Sequence, residues 1–302
     1  MPRFIVIAPV RARPSVAWTL KEKRVIGRFS GDSKVVRLTH KRHGAQMHET
    51  FVLAPWLYPA LTSLAVLTGC IDAIAGGGGL LTIPAMIYAG LPPHLMLGTN
   101  KLQSGMGATV ATTRYHRAGL FALRPNLPAT IAAFLGAGAG ALVIQHFDAH
   151  VLRLVVPLLL MGAALYTLLS PRMDDTPRQP RISERTYLPI AGGIGFYDGF
   201  FGPGTGQFFA ATLVALRGLG LTRATGLTKL LNLASNVASL IVFALGGQVI
   251  WLLGVCMGAG SMVGALIGTR LATRYGAALI RPLLVTASLL LTGKLIWSWF
   301  AN

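Results

Sequence analysis

Apolar residues run in long stretches along most of this chain, with polar residues confined to short breaks between them. Leu53 to Ala75 is the first run, followed by four consecutive glycines and a shorter run, Leu80 to Leu91. Gly98 to Thr113, Leu127 to Gln145 and Val151 to Ser170 come next. The polar segment Pro171 to Thr186 separates these from Leu188 to Phe201, a second glycine-rich break, and Gln207 to Leu216. Gly226 to Gly246, Val249 to Gly268 and Leu283 to Phe300 close the chain. A helix crossing a bilayer needs about 20 apolar residues. Leu80 to Leu91 and Gln207 to Leu216 are too short for that. Each follows a glycine-rich break, so each reads as half of a broken helix.

The two halves of the chain repeat. Gly69-Cys-Ile-Asp72-Ala-Ile-Ala-Gly76-Gly-Gly78 matches Gly195-Phe-Tyr-Asp198-Gly-Phe-Phe-Gly202-Pro-Gly204 at an offset of 126. Gly98-Thr-Asn-Lys101-Leu matches Gly226-Leu-Thr-Lys229-Leu, and Phe147 to Arg153 matches Tyr275 to Arg281, both at 128. Internal duplication is a mark of secondary transporters. Cytoplasmic loops carry the excess of Lys and Arg, and equivalent loops here carry opposite bias. Arg114, Arg117 and Arg124 surround one loop, whereas its counterpart, Gly246-Gly247-Gln248, has none. Leu91 to His94 has none, whereas its counterpart holds Arg217 and Arg223. The expected fold is an all-α polytopic membrane protein of two inverted-topology repeats, each a broken, re-entrant helix plus three transmembrane helices. The expected organisation is a basic extension over 1–50, one repeat over 51–170, a cytoplasmic linker over 171–186 and a second repeat over 187–302. An odd number of crossings per half places the C-terminus in the periplasm. Trp297, Trp299 and Lys294 suit an outer interfacial belt there, and Arg153 and Arg281 suit interfacial anchors.

Composition agrees with membrane burial. Of 302 residues, 53% are hydrophobic and only 12% charged, against about 25% charged in soluble domains; mean hydropathy is +0.60. The net charge of +18 is concentrated: eleven basic and two acidic residues precede Met47, half of the total. Such a tail suits nucleic acid or anionic lipid, but it breaks the positive-inside pattern, so the expected start is near Met47. The expected partners are the bilayer and a small anionic substrate, with no nucleic acid. Cys70 and Cys256 lie in apolar runs and read as packing residues, not a disulfide or metal site. No metal-ligand spacing and no cofactor motif appears, so neither a metal nor a cofactor is expected.

The breaks carry the candidate chemistry. Unpaired backbone at membrane depth survives only against protein or a wet cavity. The short helices aim free N–H groups and a positive dipole end at the breaks, and such ends bind anions. Gly77, Gly78, Gly79, Gly204, Thr205 and Gly206 are therefore candidates for substrate binding. Asn100, Lys101, Gln103, Lys229 and Asn232 supply amide and ammonium donors suited to an oxyanion; alternatively, the lysines pair with Asp72 or Asp198 or snorkel outward. Asp72 and Asp198 are either proton-coupling groups or structural caps on loose backbone N–H groups. Gly136, Gly138, Gly140, Gly258, Gly260 and Gly264, with no break beside them, read as close helix contacts.

These residues resemble the TauE/SafE sulfite-exporter family, also called the toluene-sulfonate uptake permease group, in its YfcA-like branch. The resemblance rests on Asp72-Ala-Ile-Ala-Gly-Gly-Gly-Gly-Leu-Leu-Thr-Ile-Pro84, Thr99-Asn-Lys-Leu-Gln103, Gly195 to Pro203 and Lys229-Leu-Leu-Asn232. It implies a multi-pass protein of the bacterial inner membrane, not an enzyme, that moves sulfite, a sulfonate or a related organosulfur anion. The expected mechanism is secondary transport by alternating access. A passive anion channel, or a membrane-embedded enzyme or assembly factor for sulfur compounds, is the alternative.

Overall fold

Glycine, proline and one serine cap set the helix boundaries more sharply than the apolar runs do. The computed structural model describes residues 35–40, 48–148 and 173–276, together with 150–152, 155–156, 158–159 and 161–163. The last apolar run, its tryptophans and Lys294, and Arg153 and Arg281, lie outside the described residues. A two-stranded antiparallel hairpin comes first: β1 (Val35–His40) and β2 (His48–Leu53), with Val35 opposite Leu53. This hairpin departs from the all-helical expectation; its valines, threonines and phenylalanine favour strands. The rest is helical: α1 (Leu57–Ala75), α2 (Gly78–Tyr88), α3 (Pro93–Arg117), α4 (Leu123–Ile144), α5 (Glu184–Phe200), α6 (Thr205–Arg217), α7 (Leu221–Leu245) and α8 (Trp251–Tyr275).

Four of these helices, α1, α4, α7 and α8, are long and apolar enough to cross a membrane. The 25-residue α3 is as long as α7, but its inward face carries Asn100, Lys101 and Gln103, all buried. The polarity is inside out: Leu67, Leu135, Leu142, Ile241 and Val255 are exposed, while lysine and asparagine are buried. Such a surface suits lipid and not water. The linker is bound rather than loose. Arg178 and Arg181 donate backbone N–H groups to Gly218 and Leu216, and Asp175 accepts from Thr222 N at 2.7 Å. Ser183 caps α5 by accepting from Thr186 N, which starts that helix four residues before the apolar run.

Both glycine stretches interrupt the helices, two residues earlier than the run boundaries imply: α2 starts at Gly78 and α6 at Thr205. The chain then turns back on itself. Thr68 and Thr82 hydroxyls lie 3.1 Å apart; in one continuous helix they would be about 21 Å apart. Tyr187 and Thr212 hydroxyls meet at 3.0 Å in the same way. Of the two limbs, only the second is short. The 19 residues of α1 span about 28 Å, nearly the hydrocarbon core, so α1 is not the half-length limb that a broken helix implies.

Each half packs chiefly on the other. Helix α1 lies along α8, and α4 lies along α5. Gly260, Gly264 and Gly268 of α8 face the carbonyls of Thr62, Val66 and Cys70. Gly136 and Gly140 of α4 face those of Gly192 and Phe196. The four-residue steps are i±4 ridges that glycine flattens until backbones touch. Gly258 abuts Met106, but Gly138 has nothing near it and is not a contact. Helix α3 runs opposite to α7: Gly98 and Thr99, near its start, meet Gln248 and Ile250, and Tyr115, near its end, meets Gly226.

Adding a methyl group at Gly264 drives it into the Val66 carbonyl, and overpacking of this kind costs about 1–3 kcal/mol. Gly264→Ala is expected to lower the thermal midpoint of detergent-purified protein, while Gly138→Ala leaves it unchanged. Equal midpoints for the two variants would contradict the packing described.

Candidate functional site

The two breaks meet. Gly76 ends α1 with φ of +75°, a conformation that L side chains resist. A Cβ there would lie 2.7 Å from the Cα of Gly206, and one on Gly206 would lie 2.5 Å from the Cα of Gly76. Neither position has room for a side chain. Gly202 and Gly204 also take positive φ, +103° and +86°. Tyr197 holds this second turn by donating to the Pro203 carbonyl at 2.8 Å.

Two ion pairs cross between the halves. Lys101 of α3 donates to Asp198 Oδ1 of α5 at 2.8 Å and also to the Asp198 carbonyl. Lys229 of α7 donates to Asp72 Oδ2 of α1 at 3.0 Å. The lysines are 1% and 0% exposed. A buried ammonium is tolerable only when paired, so the pairing reading describes both lysines here. The carboxylates differ. Asp198 is 4% exposed at its side chain and also accepts from Thr205 and Ser235 hydroxyls. Asp72 is 28% exposed and, among the described residues, accepts otherwise only from the Gly78 N–H at 3.3 Å.

A cavity of about 350 Å³, counted with its opening, lies at the junction. Asp72 and Asp198 line it, with Asn100, Lys101 and Ser104 from α3 and Asn232 and Asn236 from α7. Gly79, Gly204, Thr205 and Gly206 bring the first turns of α2 and α6 to its wall. The first-turn N–H groups of Gly78, Leu80, Thr205 and Gln207 already have acceptors, so the two positive helix ends face this space through Gly79 and Gly206. The side-chain oxygens of Asn100 and Asn232 are buried with no partner among the described residues, so each keeps unused acceptor capacity at the cavity.

Nine of the thirteen residues singled out from sequence come together at this cavity. Four do not line it. Gly77 faces the Gln207 amide, and Gly78 packs on the Thr68 carbonyl and Asp72. Gln103 turns its amide to Thr68 and Thr82, 3.5 Å from each hydroxyl. Lys229 sits behind Asp72. Ser104 and Asn236 were legible as the residues one turn beyond Asn100 and Asn232. The Ser235 bond to Asp198 had no signal, because position 107, its counterpart, is glycine. Cys70 and Cys256 are free thiols. No group of histidine, cysteine and carboxylates suited to a metal occurs among the described residues.

Comparison with known proteins gives consistent results. The family model described as "Sulfite exporter TauE/SafE" matches residues 61–295. "Probable membrane transporter protein YfcA" of Escherichia coli (strain K12) is 44% identical over 248 residues, covering 82% of this chain and 92% of that protein. "Probable membrane transporter protein ORF9" of Sinorhizobium sp is 44% identical over 245 residues, 81% of this chain and 94% of that one. A "Probable membrane transporter protein" of Haemophilus influenzae is 42% identical over 233 residues, with coverage of 76% and 91%. No solved structure matches.

Lys101→Ala strands the Asp198 carboxylate in the interior, and breaking a buried pair costs about 3–5 kcal/mol. Unfolding measured in detergent should show that loss, and Lys101→Ala with Asp198→Ala should recover much of it. Strict additivity of the two single changes would remove the coupling between the halves.

Proposed function

The chain belongs to the sulfite exporter TauE/SafE family, and on that premise we propose that it is a secondary transporter of the bacterial inner membrane for a small organosulfur anion, sulfite or a sulfonate, working by alternating access. Membership makes it a multi-pass membrane transporter, of a family of transporters rather than of enzymes. The observation that carries the anion reading is the meeting of two glycine breaks at one polar cavity, each presenting a positive helix end. The Gly79 and Gly206 turns, Asn100 and Asn232 contact the anion, and Lys101 adds positive potential from the wall. Gly77, Gly78, Gln103 and Lys229 support these groups from outside the wall, and Gly204 and Thr205 shape the second turn.

The halves are inverted-topology repeats. The opposed course of α3 and α7, which are equivalent in sequence, supports this, as do the crossed pairs of Lys101 with Asp198 and Lys229 with Asp72. Charge supports the orientation. The turn after α3 meets the start of α7 at Gly226, and Gly276, after α8, lies by Asp175 and Thr222. Arg117, Arg124, Arg223 and Arg274 therefore gather at the end of the bundle that holds the linker. The segments at the other end, around Leu91 to Gly98 and Gly246 to Ile250, have neither Lys nor Arg. The linker is cytoplasmic on this reading, and the C-terminus is periplasmic. The pseudo-twofold arrangement gives the carrier two alternative rocking states around a fixed site.

Purified protein is expected to show a thermal shift with at least one of sulfite, thiosulfate, taurine and sulfoacetate, and proteoliposomes should exchange that anion with saturating kinetics. Asn100→Leu removes a donor to a charged ligand, worth about 1.5–3 kcal/mol, so exchange should fall about tenfold or more without loss of fold. Wild-type exchange in that variant would take Asn100 out of the site, and flux that never saturates would make the protein a channel. Orientation is checked separately. A cysteine at Thr176, in a background lacking Cys70 and Cys256, should resist an impermeant maleimide in intact spheroplasts and react in inverted vesicles. The opposite labelling would turn the protein over.

A further inference from the structure

The two carboxylates occupy equivalent positions in the repeats, yet their surroundings differ in one consistent direction. Asp198 is held by the Lys101 ammonium and by the hydroxyls of Thr205 and Ser235. The positions equivalent to those hydroxyls in the first half are Gly79 and Gly107. Asp72 therefore has no hydroxyl at either place, and among the described residues it has the Lys229 ammonium and one long backbone contact. Its side chain is 28% exposed, against 4% for Asp198, and it lines the cavity, whereas Lys229, its partner, does not.

We propose that Asp72 is the proton-binding group of the transport cycle, and that its protonation generates the positive charge that holds the anion; this rests on the transporter reading above. With both carboxylates ionised, the two lysines are neutralised and the four groups carry no net charge. A bare anion entering such a cavity meets helix ends, amides and a Lys101 whose charge Asp198 offsets, with the ionised Asp72 carboxylate on the wall. A proton from the adjoining water adds to a carboxylate oxygen of Asp72. The carboxylate charge disappears, Lys229 is left uncompensated behind it, and the new O–H points a donor into the cavity. The anion and the proton then occupy the site together, with no net charge added to it. Release of the anion restores the attraction of Lys229 for Asp72, and the proton leaves to the water on the other side. Protonation of Asp198 would leave Lys101 uncompensated and weaken the bonds from Thr205 and Ser235 as well, so it costs more than protonation of Asp72.

The charged and titratable surroundings of Asp72 are compatible with one proton site. Lys229 faces it from α7. Lys101 of α3 and Asp198 of α5 stand on the same cavity wall as one neutral pair. The Tyr115 hydroxyl of α3 donates to the Ala73 carbonyl at 2.8 Å, and the Cys70 thiol lies one half-turn back on α1. Helix α8 meets this turn with Gly268, α2 with Gly78, and α6 with Gly206 and the Gln207 amide, none of them charged.

The test uses methanesulfonate, which remains fully ionised across the physiological pH range, so any proton uptake belongs to the protein. Wild-type protein should bind it more tightly as pH falls, and calorimetry in two buffers of different ionisation enthalpy should report uptake of one proton per anion bound. Asp72→Asn should abolish that uptake and flatten the pH profile of the dissociation constant, and Asp72→Glu should restore both. Binding by the wild type with no proton uptake, or an unaltered pH profile in Asp72→Asn, overturns the proposal. The wild-type titration decides the matter even where the asparagine variant does not fold. Absence of both methanesulfonate binding and exchange in the wild type would instead overturn the sulfonate-carrier reading, and the coupling with it.

Discussion

The contact of backbone with backbone at Gly76 and Gly206 is the constraint from which the rest of this structure follows. Two helices can stop and reverse in the middle of an apolar bundle only if their loose ends are sheltered. Here each break shelters the other. The approach is so close that neither residue can carry a β-carbon, and positive φ at Gly76 excludes most side chains independently. Once the breaks touch, Asp72 and Asp198, one turn before them, are brought to a single cavity. The first turns of α2 and α6 then point at the same space.

The lysines stabilise that meeting across the halves rather than within them. A pair formed inside one repeat would hold that repeat alone. Lys101 with Asp198, and Lys229 with Asp72, instead make each half depend on the other for the neutralisation of a buried charge. Glycine ladders do the same work along the flanks, where α1 lies on α8 and α4 on α5. Removing the side chain at every fourth position trades side-chain contact for close backbone approach, a favourable exchange in lipid, where apolar side chains gain little by leaving the solvent.

Duplication also permits specialisation. Two copies that begin alike need not remain so. Hydroxyls at Thr205 and Ser235 surround Asp198, while glycines stand at the corresponding places near Asp72. Both carboxylates reach the cavity, but Asp198 is held by three side-chain donors while Asp72 is the more exposed. The same divergence places a hydrogen-bonded cluster of Thr68, Thr82 and Gln103 in the first half only. The corresponding positions of the second half, 194, 208 and 231, hold isoleucine, phenylalanine and leucine.

Much of this was written in the chain itself. Run length and low charge determined a helical membrane protein. The matched motifs determined the duplication and marked the breaks, Asp72 and Asp198, and the polar faces of α3 and α7 at Asn100 and Asn232. These are local or periodic signals, and helical spacing alone reads them. What sequence left open were choices between partners: whether Lys101 pairs or binds, whether Asp72 resembles Asp198, whether Gly138 packs as Gly136 does. Those depend on which atoms of a distant segment come within a few ångströms, and no spacing along one chain encodes that distance. The tertiary structure decided them by crossing the two halves. That crossing turned Gln103 and Lys229 away from the cavity wall and left the less protected carboxylate on it.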